Sequence, residues 1–200
     1  MSFIVVIEGM FFAEAWGTSL YFNLSLIVAT CEAKKDKITG MKKKVLKIGI
    51  IGAGVCSQEV YKTAEKLGSI VAERGDILIC GGLGGVMEAA AKGAKSKGGA
   101  TIGILPGFSS EDANPFIDIP IITGLSHARN IIIVRSSDIL IAVAGEYGTL
   151  SEIAIALKLG KPVIGIGSWN ISKDIIQTKS PEEAIVKVEK LIRDGLIYDK

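Results

Sequence analysis

The sequence predicts a single α/β domain of the Rossmann type, with a mostly parallel sheet and helices on both faces. From Lys47 onward, short apolar runs alternate with helix-like segments, the pattern of successive strand-helix-strand units. The apolar runs contain few polar residues, so both faces of each strand are predicted to be covered. Glycine occurs 24 times and aromatic residues make up only 6%, a balance typical of a tightly packed α/β protein.

The predicted strands and helices follow one another in a regular order. The strands cover residues 48–51, 77–80, 101–105, 117–122, 139–143 and 162–166. The helices cover residues 57–73, 85–97, 126–135, 149–159 and 181–194. Ligands of such sheets bind beyond the carboxyl ends of the strands, so the turns that follow the strands are the predicted ligand-binding region.

Residues 1–40 differ in character from the rest of the chain. An apolar, aromatic-bearing stretch leads there into a lysine-rich hinge, and Met41 followed by three lysines resembles a natural start. No positive charge precedes the apolar run and no stretch reaches the roughly 20 uninterrupted apolar residues of a membrane helix, so neither a secretory signal nor a membrane span is predicted. We predict that 1–40 is an upstream N-terminal extension outside the core, and that 41–200 form the Rossmann-like domain.

Charge and residue types argue against several classes of protein. A net charge of +2 disfavours a membrane or nucleic-acid surface and favours a small ligand. The three widely spaced cysteines, Cys31, Cys56 and Cys80, predict reduced thiols rather than a disulfide framework or a zinc site. The single histidine, His127, argues against a histidine-rich metal site and is interpreted as a solvated or core residue. We expect a cytoplasmic protein with no metal site.

Three predicted strand-to-helix junctions are rich in glycine. They read Gly49-Ile-Ile-Gly52-Ala-Gly54, Gly81-Gly82-Leu-Gly84-Gly85 and Gly145-Glu-Tyr-Gly148-Thr149. Glycine lets a phosphate approach main-chain N–H groups, and the following helix N-terminus adds partial positive charge. Each turn alone is equally compatible with close strand-helix packing. Because all three belong to one edge of the sheet, together they predict an anion or nucleotide site. Its predicted binding residues are Gly52, Gly54, Gly81, Gly82, Gly84, Gly85, Gly145, Gly148 and Thr149.

The ordinary dinucleotide-binding fingerprint does not fit the first turn. Its third glycine falls on Ser57, and its ribose-binding acidic residue falls on the Cys80-Gly81-Gly82 segment. We therefore argue against a nicotinamide-dependent dehydrogenase.

Three motifs in a fixed order carry a family resemblance. They are Cys80-Gly-Gly-Leu-Gly-Gly-Val-Met-Glu88, Ala128-Arg-Asn130 and Gly148-Thr-Leu-Ser-Glu152. This order resembles the Rossmann-like superfamily that includes the Lonely Guy cytokinin-nucleotide phosphoribohydrolases, proteins often mislabelled lysine decarboxylases. The nearest resemblance is to its DprA/Smf-related branch, which is similar to the molybdenum cofactor carrier protein of algae. The resemblance covers about residues 46–195.

The resemblance implies roles for individual residues. In the phosphoribohydrolases, the residues that match Arg129 and Glu152 are the catalytic pair, and Met87 and Glu88 join the ligand-binding set through the first motif. Arg129, Glu152 and Met87 each have an alternative interpretation. Thr149 and Glu152 have the spacing of a helix capping box, and Arg129 is also compatible with a structural salt bridge or with a head group that reaches solvent. Met87 by its residue type favours core or subunit packing.

Two functions follow from the resemblance, and the sequence leaves open whether the protein is an enzyme. One is hydrolysis of the N-glycosidic bond of nucleoside 5′-monophosphates, with Glu152 stabilising the developing positive charge and Arg129 positioning its carboxylate. The alternative is a non-catalytic carrier of molybdenum cofactor or a related phosphorylated ligand. The hydrolase signature Pro-Gly-Gly-x-Gly-Thr-x-x-Glu has Ala144 for the proline and Glu146 for a glycine here, which favours the carrier.

Two further expectations concern macromolecular partners. A role with single-stranded DNA is disfavoured, because a nearly neutral, aromatic-poor domain offers neither a basic groove nor stacking platforms. The segment Asn130 to Val134 makes the predicted helix over 126–135 apolar nearly all round. A lone domain would expose part of that surface, so a homo-oligomer is expected, either a dimer or a tetramer.

Overall fold

The computed structural model describes residues 44–197 and, before them, only the backbone of four short strands. The chain divides into two units, residues 1–44 and 45–200. The strands of the first unit are β1 (Val5–Ile7), β2 (Met10–Phe12), β3 (Glu14–Ala15) and β4 (Thr18–Ser19). Strand β1 pairs antiparallel with β2, and β3 pairs antiparallel with β4. Most of the predicted extension, Cys31 included, lies outside the described residues, so its role stays a prediction.

The second unit is built on one sheet of seven strands. In chain order they are β5 (Lys47–Gly52), β6 (Ile77–Cys80), β7 (Thr101–Leu105), β8 (Ile119–Ile122), β9 (Ile139–Val143), β10 (Val163–Ile166) and β11 (Ile175–Thr178). Their order across the sheet is β11-β10-β9-β5-β6-β7-β8, and every neighbouring pair is parallel. The predicted α/β fold with a parallel sheet is confirmed.

Five helices cover the two faces of this sheet. They are α1 (Gln58–Glu73), α2 (Val86–Ser96), α3 (Asn130–Ser136), α4 (Tyr147–Lys158) and α5 (Pro181–Arg193). Helices α1, α2 and α5 enclose one apolar cluster, and α3 and α4 enclose the other. Strand β9, which lies next to the central strand β5, is buried along its whole length. None of the helices in the described part of the chain has the length and apolar character that a membrane span requires.

The order of the strands places all three glycine turns side by side. From β5 the chain runs outward through β6, β7 and β8, and it then returns to place β9 on the other side of β5. The crevice of such a sheet opens where the direction of winding changes, here between β5 and β9. The glycine turns follow β9, β5 and β6, which are adjacent strands, so they meet at one edge of the sheet as predicted.

Some elements differ from those predicted, and one strand was not predicted. The strand predicted over 117–122 is limited to β8, an edge strand whose isoleucines are largely exposed. The helix predicted over 126–135 begins as a 3-10 turn from Ser126 to Arg129, where Ser126 has a φ of 50°, and only then becomes α3. Strand β11 was not predicted, because its four residues end in polar Gln177 and Thr178 and lack a strong apolar run.

Helices α1 and α2 cross at two glycines with their backbones in contact. A Cβ atom at Gly68 would overlap the carbonyl oxygen of Ala90, and one at Gly93 would overlap the carbonyl oxygen of Glu65. Helices normally pack at 8–10 Å between axes, and only a residue without a side chain permits a closer approach. This close packing fixes the start of α2, which follows directly on the second glycine turn.

A Gly93→Ala substitution is expected to lower the free energy of unfolding. The added methyl group forces the α1 and α2 backbones apart, and overpacking of this kind costs about 1–3 kcal/mol or more. Urea denaturation followed by circular dichroism measures the change. Lys62→Ala, at an exposed position of α1, is the control and is expected to change stability by less than about 0.5 kcal/mol. Equal stabilities of the parent and the Gly93→Ala protein would show that the helices do not cross here.

Candidate functional site

A cleft opens at the carboxyl ends of β5, β6 and β9, between the glycine turns. The volume of the cleft is about 200 Å³. This is below the roughly 300–1,000 Å³ of pockets that enclose a drug-sized ligand, so a ligand of that size would extend from the cleft into solvent. The first turn contributes residues 51–54, the second contributes Gly81 and Leu83, and the third contributes Glu146, Gly148 and Thr149. The remaining lining residues are Met87, His127, Arg129, Asn130 and Glu152.

Arg129 and Glu152 form a buried pair in this cleft. The Arg129 Nη1 atom lies 3.8 Å from Glu152 Oε1, and the two residues are only 8% and 6% exposed. The guanidinium lies against Gly81, where a Cβ atom would come within 2.5 Å of both Nη1 and Nη2. Gly81 is therefore needed to leave room for the arginine head group, and this contact ties the second turn to the Arg129 side chain.

Burial changes the ionisation of both members of the pair. Desolvation raises the pKa of Glu152 to about 7, although the positive charge of Arg129 acts in the opposite direction. Desolvation also lowers the pKa of Arg129, against the opposing effect of Glu152. Burial raises the pKa of the nearby Cys80 thiol to about 11, so this cysteine is neutral at physiological pH. At neutral pH, Glu152 is partly protonated, and the charge of Arg129 is then incompletely balanced.

Two buried donors in the cleft have no hydrogen-bond partner in the described structure. One is Arg129 Nε and the other is the hydroxyl group of Thr149, a residue that is 3% exposed. Buried polar groups are nearly always hydrogen-bonded in folded proteins, because leaving one unpaired costs about 1–3 kcal/mol. Two unpaired donors in one cleft are available to an acceptor from outside the chain, such as water or a ligand.

The capping-box interpretation of Thr149 and Glu152 is wrong. Helix α4 begins two residues earlier, at Tyr147, and its N-cap Glu146 makes no side-chain hydrogen bond to the helix. The spacing does form a cap at the start of α5, where Ser180 Oγ accepts a hydrogen bond from the Glu183 N–H at 3.2 Å. At α4, residues with the same spacing do not cap the helix, and its N-cap residue provides no side-chain acceptor. Thr149 and Glu152 line the cleft instead.

The glycine turns are held in place by contacts among themselves. Gly85 has a φ of 63°, and a Cβ atom there would meet the backbone of Ala53 and Gly54 in the first turn. Gly145 has a φ of 119°, and the side chain of Thr149 lies against its Cα atom. Another residue type at position 85 would push the first turn away, and one at position 145 would displace the Thr149 side chain of its own turn. Some of these glycines are therefore needed for close backbone packing, whereas Gly54 and Gly148 line the cleft.

Eight of the thirteen predicted site residues line the cleft directly. They are Gly52, Gly54, Gly81, Met87, Arg129, Gly148, Thr149 and Glu152. The other five lie just behind the lining. Gly82, Gly84, Gly85 and Gly145 shape the turns, and the carboxylate of Glu88 accepts a hydrogen bond from the Tyr61 hydroxyl at 3.5 Å. Met87 belongs to both the cleft and the apolar core, and a ligand-binding role for any of these residues stays a prediction.

Two asparagines that sequence reasoning left without a role support the turns. The Asn114 side chain donates to the carbonyl oxygens of Gly82 and Leu83, at 3.1 and 2.8 Å. The Asn130 side chain donates to Ser151 Oγ at 2.7 Å and to the Gly148 carbonyl at 3.4 Å, next to the start of α4. The Asn114-Pro115 dipeptide signals a turn, but nothing in its sequence identifies a partner more than thirty residues away. His127 is exposed at the mouth of the cleft.

Comparison with known sequences places this chain next to one family and one relative. The sequence model of the SLOG cluster4 family matches residues 45–193 of this chain. An uncharacterized protein of Archaeoglobus fulgidus is 54% identical over 142 residues, which cover 71% of this chain and 93% of that protein.

Two solved structures are similar to this chain over about the same share of its length. The molybdenum cofactor binding protein of the phototrophic bacterium Rippkaea orientalis superposes with a TM-score of 0.72 at 38% identity, over 76% of this chain and 99% of that one. The molybdenum cofactor carrier protein of Chlamydomonas reinhardtii gives a TM-score of 0.70 at 37% identity, over 75% and 99%. These findings confirm the resemblance that the three motifs carry.

The carboxyl group of Glu152 is expected to titrate near pH 7. A Cδ-labelled protein followed by carbon NMR measures this pKa directly, and Arg129→Met is expected to raise it further because a lowering charge is removed. Since the folded-state pKa lies above the ordinary value of 4.5, the contribution of Glu152 to stability is fully present below pH 4.5. It is lost as the pH rises to about 7. A midpoint near 4.5 in the parent protein would contradict burial of this carboxyl group.

Proposed function

The chain belongs to the SLOG cluster4 family, and from this membership and the chemistry of its cleft we propose that it binds and carries a phosphorylated, nucleotide-like ligand such as molybdenum cofactor. The observation that carries the proposal is the pair of unpartnered buried donors, Arg129 Nε and the Thr149 hydroxyl. Arg129 Nε can only donate a hydrogen bond and the Thr149 hydroxyl can donate one, so an acceptor would satisfy both. A phosphoryl group offers several acceptor oxygens and a negative charge for the guanidinium.

The rest of the cleft is suited to the same type of ligand. Gly148 and Thr149 lie in the first turn of α4 and line the cleft, and the partial positive charge of a helix N-terminus favours a negatively charged group. The partial protonation of Glu152 near neutral pH reduces its repulsion of an anion beside Arg129. The two structures at 37% and 38% identity belong to proteins described as binding or carrying molybdenum cofactor, a phosphorylated pterin, and this supports the ligand class.

The third turn supports carriage over hydrolysis. Ala144 occupies the position of the proline in the phosphoribohydrolase signature, and its φ is 48°. Proline is restricted to a φ near −65°, so this turn has a backbone that the proline-containing signature cannot adopt. Glu146 occupies the position of a signature glycine and adds a carboxylate at the mouth of the cleft. This chain has therefore kept the Arg129–Glu152 pair while changing the turn beside it.

An Arg129→Met protein is expected to bind phosphorylated ligands about 10- to 100-fold more weakly than the parent, because a charge-assisted hydrogen bond is lost. Titration calorimetry with nucleoside 5′-monophosphates and a phosphorylated pterin measures this, with the unphosphorylated compounds as references. Thr149→Val removes a hydroxyl that has no partner in the protein, so it is expected to keep the fold and still weaken binding.

Arg135→Met provides the matched control, since Arg135 is an exposed residue of the same helix α3. It is expected to bind all ligands like the parent. Unchanged affinity in both the Arg129→Met and the Thr149→Val proteins would exclude these two donors from ligand binding.

Hydrolysis of a nucleoside 5′-monophosphate is the second candidate function, and the ionisation of Glu152 favours it. A carboxyl group with a pKa of about 7 can exchange a proton at neutral pH, the property required of a general acid or base. Glu152→Gln distinguishes the two functions. A carrier is expected to show no release of free base from the parent and near-parental binding in the variant. A hydrolase is expected to release base in the parent and to lose that release in Glu152→Gln, as measured by chromatography.

The remaining expectations stay predictions. They are a homo-oligomeric state, a cytoplasmic location and the absence of DNA binding. Salt-sensitive association with single-stranded DNA in a filter-binding assay would contradict the last of these.

A further inference from the structure

Glu146 presents a free carboxylate at the mouth of the cleft. It lines the same cleft as Arg129, yet it is exposed, whereas Arg129 and Glu152 are buried. It is the N-cap residue of α4 but does not cap the helix, and among the described residues its carboxylate has neither an ion pair nor a hydrogen bond. The carboxylate is therefore available to a ligand that extends outward from the buried pair.

Two aromatic residues, Tyr147 and Trp169, lie next to Glu146 but outside the residues that line the cleft. The Trp169 Nε1–H donates to the Glu146 carbonyl oxygen at 3.2 Å, which holds the backbone of the turn. The Trp169 ring lies 6.1 Å from the ring of Tyr147, a residue that is 82% exposed. Gln177 donates in turn to the Trp169 carbonyl oxygen at 3.2 Å. We call Glu146, Tyr147 and Trp169 the carboxylate rim. It combines one acceptor group with flat apolar surface.

A carboxylate at this position favours a ligand whose nearest part carries hydrogen-bond donors. An ionised carboxylate only accepts hydrogen bonds, and it repels a phosphoryl group. Its two oxygens pair best with two neighbouring N–H donors. Guanine and pterin rings both contain a 2-aminopyrimidin-4-one unit, in which a ring N–H stands next to an exocyclic amino group. Adenine has an amino group next to an unprotonated ring nitrogen and cannot donate twice.

We propose that the carboxylate rim recognises the 2-aminopyrimidin-4-one edge of guanine and pterin rings, and that it selects such ligands against adenine. The inference rests on the proposed function, because it places the phosphoryl group at Arg129 and Thr149 and the ring at the mouth. The aromatic surface of Tyr147 and Trp169 adds stacking that any planar ring can use. Selectivity therefore comes from Glu146, and general ring affinity comes from the aromatic pair.

Binding of four ligands by equilibrium dialysis tests this. They are GMP, IMP, AMP and neopterin monophosphate. IMP differs from GMP only by lacking the 2-amino group, so it isolates that donor. The parent is expected to bind GMP or the pterin at least about tenfold more tightly than AMP, with IMP in between, because an unpaired donor or acceptor at such a site costs this much. Whether GMP or the pterin binds more tightly identifies the source of the ring.

Glu146→Gln is expected to weaken binding of GMP and the pterin about tenfold and to leave AMP unchanged or improved, because the neutral amide replaces one acceptor by a donor. Tyr147→Ala is expected to weaken all four ligands alike, since it removes stacking. Glu111→Gln, which neutralises an exposed carboxylate outside the cleft lining, is expected to behave like the parent.

The outcomes separate this proposal from the one on which it rests. Equal parental affinities for GMP and AMP, or an unchanged preference in Glu146→Gln, would overturn the rim proposal and leave phosphate-dependent binding intact. Failure of the parent to bind any of the four ligands, each of them phosphorylated, would overturn both.

Discussion

The candidate site depends on the burial of one guanidinium group. Arg129 is placed where a side chain at residue 81 would otherwise stand, and it is only 8% exposed. Removing such a charge from water is costly unless it is paired and hydrogen-bonded. Glu152 supplies one partner at 3.8 Å, but the same burial raises the pKa of its carboxyl group to about 7 and so weakens the pairing. This incomplete pairing is the reason why we propose Arg129 as the partner of a further negatively charged group.

The fold brings the parts of this site together because three of its strands are adjacent in the sheet. Because β9, β5 and β6 are adjacent, the turns that follow them meet, and no turn has to reach across the sheet. The asparagine side chains then fix details that the sheet alone does not determine. Asn114 holds the second turn from the loop after β7, and Asn130 holds the start of α4 from the helix that begins beside Arg129. Site residues from separate parts of the chain thus share one rigid support.

Sequence reasoning predicted the features that are local or periodic. The unbroken apolar runs identified six of the seven strands of the sheet, and glycine spacing identified the three turns, because both follow from the chemistry of a few consecutive residues. It did not predict β11, although this strand pairs with β10, the strand before it in the chain, because its residues lack a strong apolar run. It gave Asn114 no role because the side chain bonds to a turn more than thirty residues away. The capping-box interpretation of Thr149 failed because the helix start at Tyr147 is set by the turn after β9 and not by local side-chain preference.

The central claim is that the buried donors of the cleft bind a phosphoryl group, and a crystal structure of the protein with its tightest-binding monophosphate tests it most directly. The account predicts phosphoryl oxygens within hydrogen-bond distance of Arg129 Nε and the Thr149 hydroxyl, above the first turn of α4. A ligand bound elsewhere, or one whose phosphoryl group points to solvent while both donors remain unpaired, would contradict it.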